Sequence, residues 1–153
     1  MSTIGSALAL VFIGGAAGKF ACGWLGARFG VLATVLLTEA GTAAAILSVL
    51  VLPLVPVLAL LPVVGLLLNG TSSVLYGTVP DLAPSDRTER AFAIFYTGTI
   101  GAGAIAPILF GMLGDAVGSH AAMMATAFTA AAVLPLAIAL APRLSAGASV
   151  HRN

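Results

Sequence analysis

Charge is what this chain has least of. Six of its 153 residues are Lys or Arg and five are Asp or Glu, 7% in all, against about 25% in a soluble domain. So little charge cannot keep a folded surface hydrated, and a water-soluble domain is excluded. The net charge of +1 leaves no basic patch of the kind that holds nucleic acid. The single cysteine, Cys22, has no partner for an internal disulfide and says nothing about redox compartment. Two histidines, His120 and His151, stand isolated with no ligand partner at useful spacing, so neither a metal nor another cofactor is indicated. Nor is there a nucleophile with a convergent base, and no enzyme activity is expected. The first apolar run has no basic residue before Lys19, unlike the charged start of a signal peptide.

What the chain does have is apolar length. Apolar residues make up 60% of it, and its mean hydropathy is +1.15. Residues 1–18, 40–80, 91–114 and 116–142 contain no Lys, Arg, Asp or Glu. A run of 18 or more such residues crosses a hydrocarbon core of about 30 Å as a helix rising about 1.5 Å per residue. The expected fold is all-α, a polytopic transmembrane helix bundle with five spans near 3–20, 31–52, 57–79, 89–113 and 120–141, and a cytoplasmic tail at 142–153. The long run after Val31 divides at Pro53-Leu54-Val55-Pro56, because proline lacks the amide hydrogen that continues a helix. Pro62 would lie in the outer turns of the third span.

With five spans, every basic residue falls on one side: Lys19 and Arg28 at the first connection, Arg87 and Arg90 at the third, Arg143 and Arg152 in the tail. The opposite connections, Pro53–Pro56 and Asp115–Ser119, hold none. The positive-inside rule then puts the C-terminus in the cytoplasm and the N-terminus outside a cell (inner) membrane. Five spans do not divide into the helical repeats from which many transporters are built. The expectation is therefore a chain lacking helices upstream.

The first connection includes Gly23, Arg28 and Gly30, with Ala27 before Arg28 and Val31-Leu32 after Gly30. This resembles, in degraded form, the short cytoplasmic signature of the major facilitator superfamily, whose acidic residue is replaced here by Ala27. The stretch Asn69-Gly70-Thr71-Ser72-Ser73, then Val79-Pro80-Asp81, and the run Tyr96 to Pro107 followed by Gly111, Gly114-Asp115 and Gly118 continue the likeness. The resemblance implies helices eight to twelve of a twelve-helix transporter. The wording is similar to bacterial drug-efflux members, including the fosmidomycin-resistance-like group.

Candidate site residues follow from polarity at membrane depth. Glu39, eight residues past Val31, is the one charged side chain away from the ends of an expected span, about 12 Å into the core. It is a candidate proton-coupling site, or else a structural carboxyl satisfied by Thr38, Thr42 or a neighbouring helix. Asn69, Thr71, Ser72 and Ser73 cluster halfway along the third span, and Tyr96, Thr97 and Thr99 bring similar groups to the fourth. The resemblance makes these cavity-lining helices, with Asn69, Ser72, Ser73, Tyr96 and Thr97 as substrate-binding candidates; interhelical hydrogen bonding is the alternative for each. The resemblance makes Gly23, Arg28, Gly30, Arg90, Gly98, Gly101 and Pro107 candidates for gating and helix bending; close helix packing is the alternative for Gly98 and Gly101, and contact with lipid phosphates the alternative for Arg90. Gly14/Gly18 and Gly114/Gly118 have the spacing that lets helix backbones approach closely. Asp86 and Glu89 have capping-box spacing. Trp24, Tyr76 and Tyr96 suit depths near the interface.

The reading that unites these features is a C-terminal fragment of a secondary active transporter that moves small molecules by alternating access, possible substrates being drugs exchanged for protons. Its partners would be the lipid bilayer and the missing N-terminal helices. The alternative is a small five-span membrane subunit or assembly partner with no transport of its own.

Overall fold

The computed structural model describes residues 3–84 and 86–150, and the side chains of all of these except Asp81 and residues 143–150. The described residues form five helices and no strand: α1 (Thr3–Phe29), α2 (Val31–Val51), α3 (Leu54–Leu82), α4 (Thr88–Val117) and α5 (Ser119–Val150). All five are long and apolar enough to cross a membrane.

The helices begin and end where backbone chemistry demands it. α1 runs through the glycine-rich stretch that the sequence marks as a connection, because glycine weakens a helix by only about 1 kcal/mol each. It stops at Gly30, whose φ of 88° is left-handed. Gly30 donates its amide to the Gly26 carbonyl (3.0 Å) and accepts from the Thr34 amide (3.2 Å), so one residue joins α1 to α2. Leu52 is extended, as the residue before a proline prefers. α3 then starts at Leu54, with Pro56 in the first turn where no amide donor is required. It continues unbroken through Pro62 and Pro80. Gly118, with φ 98°, makes the second one-residue join, between α4 and α5.

The expected capping box does not form. α4 is preceded by Arg87, which lies outside the helix and makes no side-chain cap. Asp86 instead pairs with Arg87 at 3.3 Å in the exposed turn. Nor does Gly118 serve helix packing: a Cβ added there would meet nothing within 4 Å, and it is the turn-maker, while Gly114 alone meets α5 at Ala122.

α1 and α3 pack most closely, through glycines. A Cβ added at Gly14 would run into the Pro62 backbone, one at Gly18 into Leu66, one at Gly65 into Val11, and one at Gly70 into the Cys22 sulfur. Cys22 is fully buried in this seam. α2 packs on α3 through threonines and on α5 through apolar side chains, with Val35 and Val74 in the shared core beside Val133 and Ala137. α4 is the outlier. None of its residues is buried, and among the described residues it touches α5 and α3 but not α1.

A polar flank between α1 and α4

α3 carries polar groups on two faces. Asn69, Ser72, Ser73 and Tyr76, spaced three, four and seven apart, share one of them. Thr71 and Thr78, seven apart, are buried on the other.

The buried face meets α2. Thr34, Thr38 and Thr42 recur every four residues along α2, and each is 1% exposed. Thr71 donates to the Thr38 hydroxyl at 2.7 Å, Thr38 donates to the Thr34 carbonyl at 2.9 Å, and Thr34 donates to the Gly30 carbonyl at 2.9 Å. Glu39 is half-buried beside Thr71. The residue against its carboxyl is therefore Thr71 of the neighbouring helix; Thr38 is committed to Thr71 and Thr34. The buried Thr42 hydroxyl has no hydrogen-bond partner.

The other face is open and runs from α1 to α4. At the α1 end, Asn69 stands against Gly15, where an added Cβ would be 2.6 Å from the amide nitrogen. Its Nδ2 donates to the Gly65 carbonyl at 3.2 Å. Ser72 turns back to donate to the Asn69 carbonyl at 2.8 Å, and Ser73 is half-buried. At the α4 end, Tyr76 meets Phe92, Phe95 and Tyr96 with ring centroids 5.5–6.1 Å apart. Its hydroxyl reaches Thr99 at 3.5 Å. Phe92 and Tyr96 stack at 6.2 Å and 12°.

Of the residues singled out for substrate contact, Asn69, Ser72 and Ser73 share this face, and Tyr96 joins it through Tyr76. Thr97 is exposed on α4. Glu39 lies with Thr71 on the buried side of α3, away from them. Gly98 and Gly101 have open space where a side chain would go, and Pro107 is exposed within α4. Around the first join, Gly23 is open and Arg28 lies over the Trp24 and Phe29 rings at 5.4 and 5.9 Å. Arg90 is exposed in the first turn of α4. Arg152 and His151 lie outside the described residues. The His/Cys/Asp/Glu side chains form no metal-binding group among those described.

Two features escaped the sequence reading. Tyr76 is the centre of the aromatic cluster rather than an isolated aromatic. Lys19 is the other. It sits inside α1, ten residues before the helix ends, and lines an open cavity of about 390 Å³ with Asn69, Phe12 and Phe20.

Five membrane-length helices packed through glycine and threonine seams, with a polar flank at bilayer depth, define a multi-pass helical membrane protein. The family model of the Major Facilitator Superfamily matches residues 1–152, and the chain belongs to that superfamily of membrane transporters. No curated protein and no solved structure matches it.

Proposed function

We propose that these helices are helices eight to twelve of a secondary active transporter, which carries a small molecule by alternating access. The observation that carries this reading is the open polar face of α3, bordered by α1 and α4, which do not touch each other. Polar groups at that depth need partners that lipid cannot supply. A wet substrate path completed by further helices supplies them. In this reading Asn69, Ser72, Ser73, Tyr96 and Thr97 contact substrate, while Gly98, Gly101 and Pro107 let α4 bend. Gly23, Arg28, Gly30 and Arg90 belong to the cytoplasmic gate, with the N-terminus outside the inner membrane and the C-terminus inside.

Proton-coupled drug efflux, with Glu39 as coupling acid, is the specific form we favour. Its support is a carboxyl held inside the bundle beside Thr71, with no Lys or Arg paired to it among the described residues. The test is dye efflux from energised cells expressing the chain alone or with the product of the DNA adjoining its gene. Proton-gradient-dependent efflux is expected only in the second case. Its absence in both overturns the reading, and flux from the chain alone overturns the need for added helices.

A further inference from the structure

We propose that Lys19 and Asn69 form a binding site for the oxyanion of a small organic anion, whose apolar part rests on Phe12 and Phe20. Depth is the first argument. α1 and α3 run alongside each other, with Gly14 at Pro62, Gly18 at Leu66 and Cys22 at Gly70. Lys19 is therefore level with the residues just before Asn69. Asn69 lies 15 residues from the start of α3 and 13 from its end, about 22 and 20 Å along the axis. That level is midway along α3, a helix long and apolar enough to cross a membrane. A lysine at a helix end lifts its ammonium to the interface along its own four-carbon stem, but here ten residues, about 15 Å, separate Lys19 from Phe29.

Charge is the second argument. A cation at mid-membrane is costly without an anion or water beside it. Among the described residues the recorded ion pair is Asp86–Arg87, far away in the turn before α4. Glu39 is no substitute, because Thr71, its neighbour, lies on the opposite face of α3 from Asn69. Any counter-charge for Lys19 must then come from outside the described residues.

The cavity is also built to receive one. Gly15 leaves the space that Asn69 fills, and the bond from Nδ2 to the Gly65 carbonyl fixes the amide. One amide hydrogen remains to donate beside the ammonium. Two donors, one of them charged, suit a carboxylate or a phosphate-type oxyanion. Phe12 and Phe20 line the same cavity and are 71% and 83% exposed, so an aromatic or aliphatic body can cover them. Neutral and cationic molecules gain nothing from Lys19. The inference rests on the transporter reading only in calling the bound anion a substrate.

The experiment needs no flux. The full chain is placed in phosphatidylcholine nanodiscs, and 4-fluorobenzoate binding is followed by fluorine NMR line broadening, with empty nanodiscs subtracted. Saturable broadening is expected, displaced by unlabelled benzoate and by phenylphosphonate, retained in Lys19→Arg, and weakened roughly tenfold or more in Lys19→Gln. Asn69→Ala weakens it too, and carries the test should Lys19→Gln fail to insert. Equal binding by Lys19→Gln, equal binding of neutral 4-fluorobenzamide, or no saturable signal above empty nanodiscs overturns the proposal. Binding by this chain, with no gradient-driven flux even when it is expressed together with the adjoining gene product, would instead sink the transporter reading and leave this site standing.

Discussion

Thr71 and Thr38 share a hydrogen bond of 2.7 Å between two helices, in a place where both side chains are at least 97% buried. In hydrocarbon neither hydroxyl has water to fall back on, and each also touches its own helix backbone. Measured bonds of this kind between membrane helices average about 0.6 kcal/mol and reach about 1.7. Thr38→Val and Thr71→Val should therefore each lower stability to unfolding in SDS. The double variant should fall short of their sum by an amount in that range, and full additivity would show that the bond contributes nothing.

The α1–α3 seam predicts a sharper contrast among glycines. Gly18→Ala places a methyl against the Leu66 backbone, which no rotamer change relieves, so the helices must separate and lose packing. Gly98→Ala has open space and gains helix propensity, about 1 kcal/mol by the scale for water. SDS titration should show Gly18→Ala less stable by several-fold in the folded-to-unfolded ratio, and Gly98→Ala unchanged or more stable. The reverse order would mean that α1 and α3 do not meet as described.

Glu39→Gln keeps the size and hydrogen-bonding capacity of the side chain but cannot exchange a proton. If Glu39 couples protons, the transport-competent complex carrying Glu39→Gln should insert normally and lose gradient-driven efflux, while keeping substrate exchange across the membrane. Gradient-driven efflux at the wild-type rate would assign Glu39 a purely structural place beside Thr71.

Topology can be read with single cysteines. The native Cys22 is fully buried and should stay unlabelled. Cysteines at Arg28 and Arg87 should react with an impermeant maleimide from the cytoplasmic face, and a cysteine at Asp115 from the opposite face, because α4 crosses between Arg87 and Asp115. Labelling of Arg28→Cys and Arg87→Cys from opposite faces would break the five-span arrangement.

The number of helices and the breaks near Gly30, Pro53 and Gly118 could be read from the sequence, because uncharged runs and helix-breaking residues are local properties. The length of α1 could not. Its glycines and two basic residues look like a connection, and they remain helical because α3 supplies backbone contacts along the same stretch. That error hid Lys19 by placing it at the interface. The threonines of α2 recur at one helical period and could have been read as a seam. Their partner Thr71 could not have been told from Asn69 and Ser72 by polarity alone, since only the packing of α1 and α2 separates the two faces of α3. Tyr76 was invisible as a cluster centre for the same reason: Phe92, Phe95 and Tyr96 approach it across a connection.

The single-glycine join at Gly118 has a mechanical consequence. One residue gives no slack, so α4 cannot slide lengthwise without dragging α5, which is fastened to α2 along its length. The opposite end of α4 meets α3 through the ring contacts around Tyr76. In the transport cycle proposed above, a movement of α4 that leaves α5 in place is therefore a swing about Gly118 and not a slide.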